Sequence, residues 1–105
     1  MKNKIFYILP SYNESENIKS LLDRFNKFYK NKNIFIQIVF VDDGSTDNSL
    51  DILSKLRKKI IKKIKIKILK HRTNLGLGMA LKTGFRYSLK EANNSDVIVT
   101  MDTDN

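Results

Sequence analysis

Two aspartates flank a single residue at Asp102-Thr103-Asp104, and two more stand side by side at Asp42-Asp43. Carboxylates are hard oxygen donors. A loop can aim one of them at a divalent cation and the other at a hydroxyl or a metal-bound water. Asp102 and Asp104 therefore suit a cation that also binds phosphate oxygens. Alone, such a pair is often no more than a turn. Here it follows an apolar run, Val97 to Met101. Three other polar clusters also follow strand-like runs: Pro10-Ser11-Tyr12-Asn13-Glu14, Asp42-Asp43-Gly44-Ser45-Thr46-Asp47, and Asn74-Leu75-Gly76-Leu77-Gly78. An open parallel α/β sheet gathers the carboxyl ends of its strands on one edge, where ligands bind. Four polar clusters on that edge make one site, and a nucleoside diphosphate with a divalent metal fits its chemistry.

Each loop has its own part. A carboxylate accepts hydrogen bonds from a base N–H or from ribose hydroxyls, so Asp43, with Asp42 next to it, is assigned to ligand. Gly44 permits a tight turn, and Asp47 reads as a helix N-cap. Tyr12 is either a platform for a base or a partly buried loop aromatic. The free amides at the start of the first helix favour an anion. Asn74-Leu75-Gly76-Leu77-Gly78 is neither Gly-x-Gly-x-x-Gly nor a Walker sequence; Gly76 there lets a helix approach the ligand edge. Arg72 is either a partner for a diphosphate or a solvated cation. His71 is the only histidine, and there is no cysteine, which argues against zinc. It reads as a surface residue.

These loops need elements to carry them. Lys4 to Leu9 reads as a buried strand that Pro10 ends. A helix is expected from about Ser15 to Tyr29, with Ile18, Leu21, Leu22, Phe25, Phe28 and Tyr29 inward and Asn13 or Ser15 as cap. Ile34 to Val41 is the second strand. A helix capped by Asp47 and running to about Lys59 follows, with Leu50, Ile52, Leu53, Leu56 and Ile60 inward. Ile64, Ile66 and Ile68 alternate with Lys65 and Lys67, the pattern of a half-exposed strand at or near a sheet edge. The third helix runs from about Gly76 to Glu91, with Met79, Ala80, Phe85 and Leu89 as apolar contacts and Gly84 as a point of close packing. Val97 to Met101 is the last strand. The order βαβαβαβ predicts an α/β fold: a Rossmann-like parallel sheet with flanking helices and right-handed crossovers.

The 105 residues are enough for one domain with one core. Hydrophobic content of 41% fits a globular chain. No stretch is long enough to span a bilayer, and the apolar run after Lys4 is too short for a signal peptide, so a cytoplasmic protein is expected. Net charge is +9, concentrated in Lys55 to Arg72. Such a stretch is a solvated face, a peripheral contact with an anionic membrane, or a nucleic-acid patch. No aromatics are interleaved with the lysines, so nucleic acid is disfavoured.

Taken together, the four clusters resemble the motifs of family 2 glycosyltransferases of the GT-A fold, closest to the dolichol-phosphate mannose synthase and polyprenyl-phosphate sugar transferase branch. The resemblance covers essentially the whole chain. It implies an inverting transferase that binds a nucleotide sugar, a GDP- or UDP-sugar, with Mg2+ or Mn2+. It implies that Pro10, Tyr12 and Glu14 surround the base, that Asp43 hydrogen-bonds it with Asp42 beside it, that Asp102 faces the ribose or a metal-bound water, and that Asp104 binds the metal. A polyprenyl-phosphate acceptor is implied, with action at the cytoplasmic face of a membrane. Residues 1–105 then form the nucleotide-sugar-binding domain, and the acceptor-binding half is expected to be lacking. The alternative is a nucleotide-binding module without transferase activity. A nucleotidyltransferase on a related fold would need a glycine-rich, arginine-containing start that is absent here.

Overall fold

The computed structural model describes residues 3–103. Its elements are β1 (Lys4–Ser11), α1 (Ser15–Tyr29), β2 (Phe35–Asp43), α2 (Ser49–Arg57), β3 (Ile64–His71), α3 (Leu77–Glu91) and β4 (Val97–Thr100). The four strands form one parallel sheet in the order β3-β2-β1-β4. This is the Rossmann-like α/β architecture expected from the alternation of strand and helix. The chain steps from β1 to β2 to β3 in one direction, then crosses back to place β4 on the far side of β1. The switch in direction lies between β1 and β4.

Strand alternation divides the core in two. Leu9, Ile36, Ile38, Phe40, Ile64 and Ile66 point to the face covered by α1 and α2, where they meet Ile18, Leu21, Leu22, Phe25 and Leu53. Phe6, Ile8, Val39 and Val41 point the other way, toward Ala80 of α3. Both faces of β1 and β2 are thus covered, which is why their sequences read as unbroken apolar runs.

The two long helices use their faces differently. In α1 the residues Ile18, Leu21, Leu22, Phe25 and Tyr29 are buried. Phe28, expected inward, is exposed; its ring meets the edge of Tyr29, and Lys32 Nζ lies 3.9 Å from its centroid. In α3 the expected contacts Met79, Phe85 and Leu89 are exposed, and the buried stripe is Ala80, Gly84 and Ser88. The reason is proximity. A Cβ on Gly84 would run into the side chain of Ile8, so α3 lies too close to the sheet for large residues on its inner stripe.

β3 is an edge strand, as its lysine alternation predicts. Lys65 and Lys67 are exposed, and Arg57 Nη2 donates to the carbonyl of Ile66 at 2.8 Å. Charged side chains along an edge discourage pairing with another strand. Much of the lysine-rich stretch therefore has a structural use. The loop-facing ends also differ from expectation. β2 runs on to Asp43 and β3 to His71, so Asp42, Asp43 and His71 belong to strands. α2 is slightly shorter than expected: its N-cap is Asn48 instead of Asp47, and it ends at Arg57.

Candidate functional site

Three loops interlock at the carboxyl ends of β1, β2 and β3. Asn13 adopts a positive φ of 52°, a conformation asparagine tolerates better than most residues. Its Oδ1 accepts from the amides of Thr46 (2.8 Å) and Asp47 (3.2 Å), and its own amide donates to Ser45 Oγ (2.9 Å). Asn13 therefore stitches the loop after β1 to the loop after β2, instead of capping α1. Asp47 completes the join. One carboxylate oxygen accepts from the Ser15 amide at 3.3 Å, and the other accepts from the amide and hydroxyl of Ser49. One aspartate thus serves the starts of both α1 and α2. Burial pushes its carboxyl upward, but the bonds from Ser49 and Ser15 outweigh this and hold it below the ordinary value.

The loop after β2 is pressed against the loop after β3. Gly44 has φ of 75°, and a Cβ there would collide with the backbone of Thr73 and Asn74. Only glycine meets both conditions. Beside it, Asp42 is buried and accepts from the Ser45 amide at 3.2 Å. Asp43, 4% exposed, makes a fuller set of bonds. Its Oδ1 lies 2.8 Å from His71 Nδ1 and accepts from the Leu75 amide at 2.9 Å; its Oδ2 accepts from the Gly76 amide at 2.8 Å. Burial raises the Asp43 carboxyl, yet His71 and the two amides together bring it below the ordinary carboxylate range. His71 is not the surface residue expected. It sits under α3, with Nε2 2.8 Å from Thr83 Oγ1.

A cleft of about 400 Å³ opens where these loops meet the end of β4. It is lined by Pro10, Ser11, Tyr12 and Glu14 from the β1 end, Asp43 from β2, Asn74, Gly76, Leu77 and Ala80 from the start of α3, and Asp102 and Thr103 after β4. It lies at the carboxyl ends of the strands, beside the switch point, where ligands of open α/β sheets bind. Pro10, Tyr12, Glu14, Asp43, Gly76 and Asp102 of the expected residues are thus brought together. Asp42 lies beneath the loop and Arg72 is exposed; neither lines the cleft. Asp104 lies outside the described residues. Among those described, no cluster of three or more His, Cys, Asp or Glu forms a metal centre. What remains for a cation is oxygen chemistry at Asp102, exposed on the cleft wall.

Ser11 stands in the polar cluster after the first strand-like run, where the sequence pattern alone assigns it no role. Its hydroxyl is buried at the cleft and has no hydrogen-bond partner among the described residues. Buried polar atoms are rarely left so, which marks it as a candidate ligand contact. Thr103 Oγ1 donates to the Pro10 carbonyl at 3.2 Å and ties the segment after β4 to the end of β1.

The fold and cleft define a class: a Rossmann-like α/β domain with a polar, partly acidic ligand site at its switch point. The chain belongs to glycosyl transferase family 2, which it matches over residues 7–105. Over 102 residues it is 33% identical to an undecaprenyl-phosphate 4-deoxy-4-formamido-L-arabinose transferase of Proteus mirabilis (strain HI4320), with 97% of this chain and 29% of that protein covered. Proteins of the same description from Yersinia pestis (strain Pestoides F) and Yersinia pseudotuberculosis serotype O:3 (strain YPIII) are 35% identical over 101 residues, covering 96% of this chain and 29% of each. The chain therefore spans well under half the length of these relatives. No helix among the described residues is long and apolar enough to cross a membrane.

Proposed function

We propose that this domain binds a nucleoside-diphosphate sugar in the cleft and belongs to a protein that transfers the sugar, with inversion, to a polyprenyl phosphate. The observation that carries the reading is the cleft itself: one cavity at the sheet's switch point gathers Tyr12, Asp43, Gly76 and Asp102 from the ends of four separate strands. Tyr12 offers an aromatic face for the base. Asp43, fixed from behind, retains acceptor capacity toward a base N–H or a ribose hydroxyl. Asp102 and Asp104 would hold Mg2+ or Mn2+, which would neutralise the departing diphosphate. Kinship with transferases named for undecaprenyl phosphate supports a lipid-linked acceptor. Such an acceptor lies in a membrane, so the domain would work at a cytoplasmic membrane surface. A phosphate acceptor is already anionic and needs no strong general base.

The test is calorimetric titration of the chain with UDP and with GDP, each with and without Mn2+. Binding of one nucleotide, strengthened by the metal and no longer strengthened in Asp104→Ala, is expected. Metal-independent affinity in both wild type and variant would remove the metal assignment; no binding of either nucleotide would remove the reading. Transfer is a separate matter. Holding two reactants in line accounts for roughly 7–11 kcal/mol of a barrier in favourable cases. The described residues offer a donor cleft, and on this reading the isolated chain binds donor without efficient transfer.

A further inference from the structure

His71 does not line the cleft, yet it stands behind the cleft's most engaged carboxylate. β2 and β3 pair in parallel with Asp43 opposite His71, so alternation sends both side chains to the α3 face. An ionised carboxylate can only accept, so Nδ1 of His71 carries a proton and donates it to Asp43. Nε2 bonds to the Thr83 hydroxyl. Asp43 in turn accepts from the amides of Leu75 and Gly76, the residues that lead into α3. The bonds make a closed circuit. It runs from Thr83 within α3 through His71 on β3 and Asp43 on β2, then back to the loop that begins α3.

We propose that His71 is a positioning residue for the cleft. It holds the Asp43 carboxylate in the one orientation that bonds both loop amides, and so fixes Gly76 on the cleft wall. The effect on ligand affinity rests on the nucleotide reading above; the effect on the loop does not.

Two amide substitutions separate this role from simple packing. In His71→Asn the side-chain amide reaches the place of Nδ1, which keeps the bond to Asp43 and gives up Thr83. In His71→Gln it reaches the place of Nε2, which keeps Thr83 and gives up Asp43. The readouts are amide hydrogen exchange at Leu75 and Gly76 and the affinity for UDP and GDP with Mn2+. His71→Asn should stay near wild type. His71→Gln should lose about tenfold in nucleotide affinity and speed exchange at both amides by a similar factor, the scale of one charge-assisted hydrogen bond. Equal exchange in the two variants would overturn the proposal. If wild type binds neither nucleotide, the nucleotide reading fails and amide exchange alone decides the role of His71. Should a variant not fold, long-range proton–nitrogen spectra of the unmodified protein give the answer. A ring that carries a proton on Nδ1 supports the circuit, and a ring protonated on Nε2 alone overturns it.

Discussion

The two walls of the cleft are built differently. On the β2–β3 side, Asp43 is buried and bonded to His71, Leu75 and Gly76, and Gly44 is pressed against the backbone of Thr73. On the β1–β4 side, Tyr12 is 42% exposed and Asp102 is exposed. The strands behind them differ in the same sense. β1 pairs with β2 along its whole length from Lys4 to Ser11, but with β4 only from Ile5 to Ile8. One wall is set by the fold alone and costs little to order on binding. The other leaves a carboxylate and an aromatic face open at the cleft. Preorganisation on one side and open chemistry on the other is a sound division for a ligand site.

The largest effect expected is a contrast between two aspartates. Asp43→Ala leaves His71 and the amides of Leu75 and Gly76 without their acceptor. It should destabilise the domain by about 2–3 kcal/mol, the range for bonds to a charged group. Asp102→Ala removes an exposed carboxylate and should stay within about 0.5 kcal/mol of wild type in stability, while it removes the metal-dependent part of nucleotide affinity. Urea melts and calorimetry on the two variants check both halves. If Asp43→Ala proves as stable as Asp102→Ala, the distinction between the walls fails.

Acid should loosen the fixed wall first. The Asp43 and Asp47 carboxyls lie below their ordinary value of 3.8 in the folded chain. A group depressed in this way contributes stability that is fully present above its unfolded value and is lost as pH falls through its folded value. Stability from these two groups should therefore be level from about pH 7 to pH 5 and decline below about pH 4. Asp43→Asn should flatten that decline, because its amide has no proton to gain. A urea midpoint that falls equally in wild type and Asp43→Asn would place the acid sensitivity elsewhere, with Asp47 the next group to replace.

The lining of the cleft was easier to read from the sequence than the residues that stand behind it. Tyr12, Glu14 and Asp102 follow apolar runs, and the strand-edge rule alone brings them to one cleft. The covering of β1 and β2 on both faces was also plain from their unbroken apolar runs. His71 was not. Lys65 and Lys67 alternate with the isoleucines of β3 and are exposed, with Lys67 Nζ 5.7 Å from the ring centroid of Tyr87 on α3, and the same parity applied to His71 suggests solvent. Only the placement of α3 over the strand end reverses that reading. The signal was present in Leu69, which shares the parity of His71 and packs toward α3. The α3 stripe was legible in part. Ala80 and Gly84 lie against the sheet as expected, whereas Met79, Phe85 and Leu89, grouped with Ala80 for their apolar side chains, are exposed, and Ser88 carries no hydrophobic pattern. Asn13 is one of two candidate caps in the sequence, with Ser15, because asparagine before a helix often caps it. Its bonds to Thr46 and Asp47 depend on the β1–β2 register, which local sequence does not reveal.

The smallest expected effect concerns Arg72, which follows His71 directly and was a candidate partner for a diphosphate. Its side chain is exposed and does not line the cleft. If the fixed wall stays fixed when ligand binds, Arg72 acts only as a distant charge. Charges separated through solvent by more than about 8 Å are largely screened at physiological salt. Arg72→Ala should then change UDP or GDP affinity by less than about threefold at that salt, well short of the roughly tenfold or greater loss expected for a direct charge-assisted contact. The sharper form of the measurement repeats the titration at low and high salt. A small effect that fades with salt fits a remote charge. A loss of about tenfold that persists at high salt would mean that the segment after β3 swings into the cleft on binding. Asp43 would then have to release Leu75 or Gly76, and the wall described as fixed would be the one that moves.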